Sequence, residues 1–289
     1  KSYAVKLDET SVSGISSGAF MAVQFGVAHS SIIKGVSATA GGPYYCASDD
    51  VPSFRGLSHV FSRCMQGDPL YPPRPQNDAL TPQQMKRMFA ATDAWAESGK
   101  IDATSNLAKQ KIWIFHGYND AVVKFPVSNA VYNYYIHYID PSQVFYKDNL
   151  NAGHAQITFD CPTGQTLCNL CDKTGGKFLN QCRDGNALYD AAGSLLQHIY
   201  GTLQPKTTAG ALTGKIIPFA QRDFTRDSKG ADAPINIAMA DKGYELDLIV
   251  RRGRRLVFCE VKSKAGPRFG NAVEMVDGEK QRRLFRAAE

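Results

Sequence analysis

The 289-residue sequence has no apolar run approaching the ~18 residues that a membrane-spanning helix needs, so a transmembrane helix is excluded. It has no internal repeat and no low-complexity tract, which removes fibrous and repeat architectures. Excess charge is scarce: 33 Lys plus Arg face 27 Asp plus Glu, and a net charge of +6 is too mild to demand a nucleic-acid partner. The opening stretch, Lys1 to Thr10, has no apolar segment of the kind a secretory leader carries, and the expectation is that any such leader has been removed. Tryptophan occurs twice and histidine six times, so the search for a catalytic base is short. What remains is ordinary globular composition, 43% hydrophobic and 21% charged. A chain of this length buries roughly three quarters of its unfolded surface, as one large α/β domain or two smaller ones.

There are seven cysteines, and four of them (Cys161, Cys168, Cys171, Cys182) crowd one loop-like stretch rich in Gly, Asn, Asp and Thr. A zinc site would use Cys168 and Cys171 as a C-x-x-C pair with the outer two. The uneven spacing fits a zinc ribbon poorly, and disulfides in an exported protein are the favoured reading, with three pairings open. Cys46 with Cys64 makes a plausible further bridge, and Cys259 is left over.

Strand-like and helix-like segments alternate, which predicts a doubly wound, mostly parallel sheet covered on both faces. Helices are expected from about Ala19 to His29, from Thr81-Pro82-Gln83-Gln84 to about Ser98, over Pro126 to Ile139, and over Ala187 to Leu203. Strands are expected at Ile33 to Ala40, Lys111 to His116 and Gln143 to Lys147. Residues 43 to 80 carry many Pro, Ser, Asp and Gly and read as an excursion from the core.

Gly14-Ile15-Ser16-Ser17-Gly18 matches G-x-S-x-G. Small flanking residues let the backbone bend sharply between strand and helix, so the serine hydroxyl projects from the sheet edge. A serine nucleophile needs a base, and the base needs an orienting acid. Asp120, in His-Gly-Tyr-Asn-Asp, and His154, in Asn-Ala-Gly-His-Ala, both follow predicted strands, where doubly wound sheets place their sites. Their order, Ser then Asp then His, is that of α/β hydrolases. The other histidines compete less well: His29, His137 and His198 fall in helical patterns, His59 in the excursion, and His116 ends a buried strand. Tyr44, Tyr45 and Trp95 are candidates either for an apolar substrate groove or for the core.

These segments, with Ser11 to Phe25 and Ala-Gly-Gly-Pro-Tyr-Tyr-Cys-Ala, resemble secreted poly(3-hydroxybutyrate) depolymerases over residues 8 to 243. The resemblance implies a circularly permuted α/β-hydrolase fold and a serine esterase of hydrophobic polyesters or short-chain esters. It implies Ser16 as nucleophile, His154 as base, Asp120 as orienting acid and the Ser17 N–H as one oxyanion donor, with no metal or cofactor. In such enzymes the chain continues past the counterpart of residue 243 into further strands, one of which brings a second oxyanion donor.

This sequence instead changes character there. Residues 244 to 289 hold 11 Lys plus Arg against 7 acids, whereas residues 1 to 243 stand near balance. A hairpin is expected from Glu245 to Val250 and Arg255 to Val261, turned at Arg252-Gly253-Arg254, with a basic helix from about Glu279. Asp247 with Glu260-Val261-Lys262 follows the pattern of PD-(D/E)XK nucleases, where two carboxylates hold a divalent metal and the lysine aids the attacking water. With Gly-Pro-Arg-Phe-Gly and Glu-Lys-Gln-Arg-Arg-Leu, the segment resembles part of the YraN-type nuclease-like family. The expectation is therefore two units, an incomplete hydrolase (1–243) and a short tail (244–289). A secreted or periplasmic esterase is the main reading, and a metal-dependent nuclease or nucleic-acid binder the alternative. Missing strands would leave a sheet edge uncovered.

Overall fold

Six strands make the main sheet, and four of them carry the hydrolase-like part: β1 (Thr10–Ile15), β2 (Ile33–Thr39), β3 (Lys111–Phe115) and β4 (Val144–Lys147). The computed structural model describes residues 7–46, 64–65, 80–161, 168–176, 178–204, 245–252 and 255–262. These four strands run parallel in chain order, with Ile15 opposite Thr39, Thr39 opposite Phe115 and Phe115 opposite Lys147. Their carboxyl ends are thus level, which is where the site-bearing loops begin.

The alternation of side chains along β3 separates two cores. Ile112 and Ile114 face one layer, built from α1 (Ser17–Ala28), α2 (Pro82–Glu97) and α3 (Phe125–Tyr135). Trp113 and Phe115 face the other, filled by Leu195, Leu196 and Ile199 of α4 (Ala191–Tyr200). Helices thus cover both faces, and the fold is a doubly wound α/β sheet as the sequence pattern predicts. Two glycines permit the close approach. A Cβ on Gly26 of α1 would strike Val36 of β2, and one on Gly35 of β2 would lie 2.7 Å from Ile199 of α4.

The start of α2 follows its sequence signal closely: Thr81 caps the helix, Gln84 returns the bond, and proline fills the first turn. Two helices are shorter than expected. The first is α3, which ends at Tyr135, where the Tyr138 N–H closes a tighter i→i−3 bond to the Tyr135 carbonyl. The second is α4, which starts only at Ala191, where the Asp190 carboxylate accepts the Gly193 N–H; Ala187–Leu188 pairs with Arg183–Asp184 as a small hairpin instead. Tyr44 is buried in the core against Trp95 and Tyr134, and the partly buried Tyr45 and Trp95 pack on the same cluster, so these rings contribute to the core.

Three disulfides form among the described cysteines: Cys46–Cys64, Cys161–Cys168 and Cys171–Cys182. The last lies beside a three-stranded sheet of β5 (Gln156–Ile157), β6 (Asn169–Leu170) and β7 (Leu179–Gln181), in the order β5-β7-β6.

Missing strands are expected to leave a sheet edge uncovered, yet the β1 edge of the four parallel strands is paired. The tail hairpin, β10 (Glu245–Arg252) and β11 (Arg255–Lys262), lies against it after the small strands β8 (Arg183–Asp184) and β9 (Ala187–Leu188) in chain order. Strand β10 runs antiparallel to β1, with Thr10 opposite Val250 and Ser13 opposite Asp247. An antiparallel neighbour satisfies an edge strand's free N–H and C=O groups as well as a parallel one does. The basic helix expected from about Glu279, and most of the excursion at 43 to 80, lie outside the described residues.

Candidate active site

Ser16 stands between β1 and α1 with φ 57 and ψ −124, a left-handed conformation that costs a non-glycine residue on the order of 1–3 kcal/mol. The glycines of the motif make that turn sterically feasible. A Cβ on Gly14 would fall on the backbone of Gly18 and Ala19, so the first turn of the helix packs directly on the strand. The Ser16 N–H donates to the Thr39 carbonyl, which continues the sheet ladder up to the serine. The Ser16 side chain does not cap its own helix. The N–H of Ser17, in the first turn of α1, has no intrahelical partner by virtue of its position. It carries the positive end of the helix dipole, suited to a developing oxyanion. The Ser17 hydroxyl oxygen is buried, and among the described residues it has no hydrogen-bond partner.

Asp120 and His154 are joined directly. The Nδ1 of His154 lies 2.7 Å from Oδ2 of Asp120, and both side chains are almost wholly buried. The other carboxylate oxygen, Oδ1, accepts the N–H groups of Val122 at 2.8 Å and Val123 at 3.0 Å. Both oxygens of the carboxylate are thus engaged, and its charge favours the tautomer with the proton on Nδ1. That leaves Nε2 of His154 as the basic nitrogen. The two loops also lock to each other through the Tyr118 N–H to Leu150 and the Asn119 N–H to Ala152.

Of the sequence-predicted residues, the structure therefore brings Asp120 and His154 into contact. Ser16 sits at the same end of the sheet, and among the described residues it makes no hydrogen bond to either. In serine hydrolases generally, the hydrogen bond between nucleophile and base is often long without substrate and tightens when substrate binds. Asp247 stands opposite Glu260 in the β10–β11 register, with Lys262 opposite Glu245.

Three residues near the pair escape sequence reasoning. His116, set aside as the end of a buried strand, lies 2.8 Å through Nε2 from the Val123 carbonyl. It thus holds the turn whose amides cradle Asp120. Burial pushes its pKa below the ordinary 6.5, opposed by the Val123 hydrogen bond and the Asp120 charge. Thr174 accepts the His154 N–H, and Asn180, fully buried, closes the turn around it. Both sit in a polar, cysteine-rich stretch that reads as plain loop.

Among known proteins, the chain is 36% identical to the poly(3-hydroxybutyrate) depolymerase of Delftia acidovorans over 224 residues, 76% of this chain and 40% of that one. It is 30% identical to the polyhydroxybutyrate depolymerase of Talaromyces funiculosus over 218 residues, 75% of this chain and 55% of that one. The chain thus spans about half the length of these curated relatives or less. A solved PHB depolymerase variant complexed with an R3HB trimer superposes with a TM-score of 0.61 at 26% identity, over 86% of this chain and 64% of that one. Residues 235–289 match the model of the uncharacterised protein family UPF0102.

Proposed function

We propose that a chain so related to PHB depolymerases along three quarters of its length is a serine ester hydrolase of hydrophobic esters, polyhydroxyalkanoate-type polyesters among them. The observation that carries the reading is the buried Asp120–His154 pair, 2.7 Å apart, at the end of the sheet where the strained Ser16 turn also lies. Ser16 Oγ attacks the ester carbonyl while Nε2 of His154 takes its proton. The carbonyl oxygen becomes an oxyanion that receives the Ser17 N–H, and the alkoxide leaves with the proton from His154. Water, deprotonated by the same nitrogen, then releases the acid. Asp120 keeps the imidazole oriented and balances its positive charge. None of these steps calls for a metal or cofactor.

Residues 1–243 form the hydrolase unit in this reading, and 244–289 a tail of separate ancestry. Three disulfides support export from the cytosol, because bridges of this density persist in oxidising compartments. A second reading rests on the register that sets Asp247 opposite Glu260. With Lys262 these would serve a divalent-metal nuclease.

Hydrolysis of p-nitrophenyl butyrate by the wild type and by Ser16→Ala, each with and without EDTA, tests both. Loss of turnover in Ser16→Ala and indifference to EDTA are the expected results; activity surviving the substitution sinks the esterase mechanism. Mg²⁺-dependent DNA cleavage that vanishes in Glu260→Ala would promote the second reading.

A further inference from the structure

The proposed acid and base come from different loops, one after β3 and one after β4, yet their atoms must be held to within about 0.5 Å. We propose that the disulfide-closed turn from Cys171 to Thr174 sets that distance, with Thr174 and Asn180 as positioning residues of the ester hydrolysis; the inference rests on the reading of the preceding subsection.

The turn touches both loops. On the base side, the Cys171 carbonyl accepts the Gly153 N–H at 2.8 Å, and the Thr174 hydroxyl oxygen accepts the N–H of His154 itself at 2.8 Å. On the acid side, the Asp172 carbonyl accepts from Nδ2 of Asn119, the residue before Asp120, at 3.0 Å. Three anchors within four residues thus tie Asn119, Gly153 and His154 to one short turn. The approach is so close that a Cβ on Gly153 would fall on the Lys173 carbonyl oxygen, which only glycine avoids.

The turn is itself held from behind. Asn180 has no solvent exposure, and its Nδ2 donates to the Cys171 carbonyl at 2.8 Å and to the Lys173 carbonyl at 2.6 Å. Its Oδ1 accepts from Asn169 at 3.0 Å, so one side chain staples Cys171, Lys173 and the neighbouring strand. Cys182, two residues further on and buried, bonds covalently to Cys171. Phe178, in the same segment, takes a left-handed φ of 52 and presents its ring edge-on to the His154 imidazole, 6.5 Å between centroids. A strained non-glycine residue next to a reacting group is a recurrent mark of a site held under constraint. A turn that served the loop's own stability alone would have no reason to spend its carbonyls and hydroxyl on the two catalytic loops.

The test compares Thr174→Val, Thr174→Ser and Asn180→Ala with the wild type. The two readouts are steady-state hydrolysis of p-nitrophenyl butyrate and the low-field proton resonance of the His154 Nδ1–H. Thr174→Val is nearly isosteric and is expected to lower kcat about 10-fold with KM little changed, and to shift or broaden the resonance. Thr174→Ser restores the acceptor and is expected to recover both. Asn180→Ala is expected to lower kcat about 100-fold and to erase the resonance. Wild-type kcat and an unchanged resonance in Thr174→Val would overturn the proposal, as would equal damage by Val and Ser. Ser16→Ala serves as the control that separates the two claims: it is expected to abolish hydrolysis and keep the resonance. Should the wild type itself fail to hydrolyse the ester, the esterase reading falls, and the resonance of the three variants still decides the role of the turn.

Discussion

Ser16, the proposed nucleophile, and Asp120 with His154, the proposed acid–base pair, are positioned by opposite means. Ser16 is held by backbone geometry: a left-handed turn, two glycines in contact and a strand that runs straight into it. Asp120 and His154 are held by hydrogen bonds, two amides on one carboxylate oxygen and an imidazole on the other, with further bonds on the flanking backbone. Steric placement tolerates no added atom and needs little chemistry. Hydrogen-bonded placement fails in addition when a single donor or acceptor goes missing. The two halves should therefore break under different substitutions.

The largest separation is expected from Asp120→Asn. It keeps the shape and most contacts but stabilises the wrong imidazole tautomer, so kcat for a small ester should fall about 10⁴-fold with little change in melting temperature. Gly14→Ala should do the reverse. The new methyl group meets backbone that cannot move aside, which destabilises the fold by about 2 kcal/mol in thermal unfolding and lowers activity as a consequence. Removing residues 245–289 should loosen β1 and the elbow it carries while leaving the acid–base pair intact. The expected result is more aggregation by light scattering from an exposed edge, with the His154 low-field resonance retained.

The smallest effect concerns pH. Folded His116 holds its proton more weakly than the unfolded chain does, so the unfolded state binds the extra proton as pH falls through 6.5. Its contribution to stability is complete above that value and declines below it. His198, also pushed down by burial, adds in the same direction. Replacing His116 by Gln, which keeps a donor for Val123, should flatten the fall in melting temperature between about pH 7.5 and about pH 5.5.

How legible each half was follows from the same contrast. Steric placement leaves a local signature, because glycines must stand at fixed offsets from the serine, and Gly14 and Gly18 reveal the elbow from sequence alone. The capping box of Thr81 and Gln84 is equally local, and that helix lies where its sequence predicts. Hydrogen-bonded placement draws on partners far along the chain. Asn119 reaches Asp172, 53 residues away, and nothing near either residue announces it. Asn180 looks like loop chemistry until its burial is known, since buried and exposed asparagines are spelled alike. The start of α4 departs from its sequence pattern for another reason: Leu188 continues the helical spacing, but the Asp190 cap overrides it. Least legible was the pairing of β10 with β1, because strand pairing across more than 200 residues obeys register and edge availability, not local pattern.

The division of the core by β3 has a practical optical consequence. The chain contains two tryptophans, and each reports on a different layer: Trp95 packs on the cluster shared by α1, α2 and α3, and Trp113 is enclosed on the α4 side. Trp113 also donates its indole N–H to Ser194 at 3.0 Å, so its emission is tied to the seating of α4. Two single-tryptophan proteins, Trp95→Phe and Trp113→Phe, would therefore turn intrinsic fluorescence into a separate gauge for each side of the sheet.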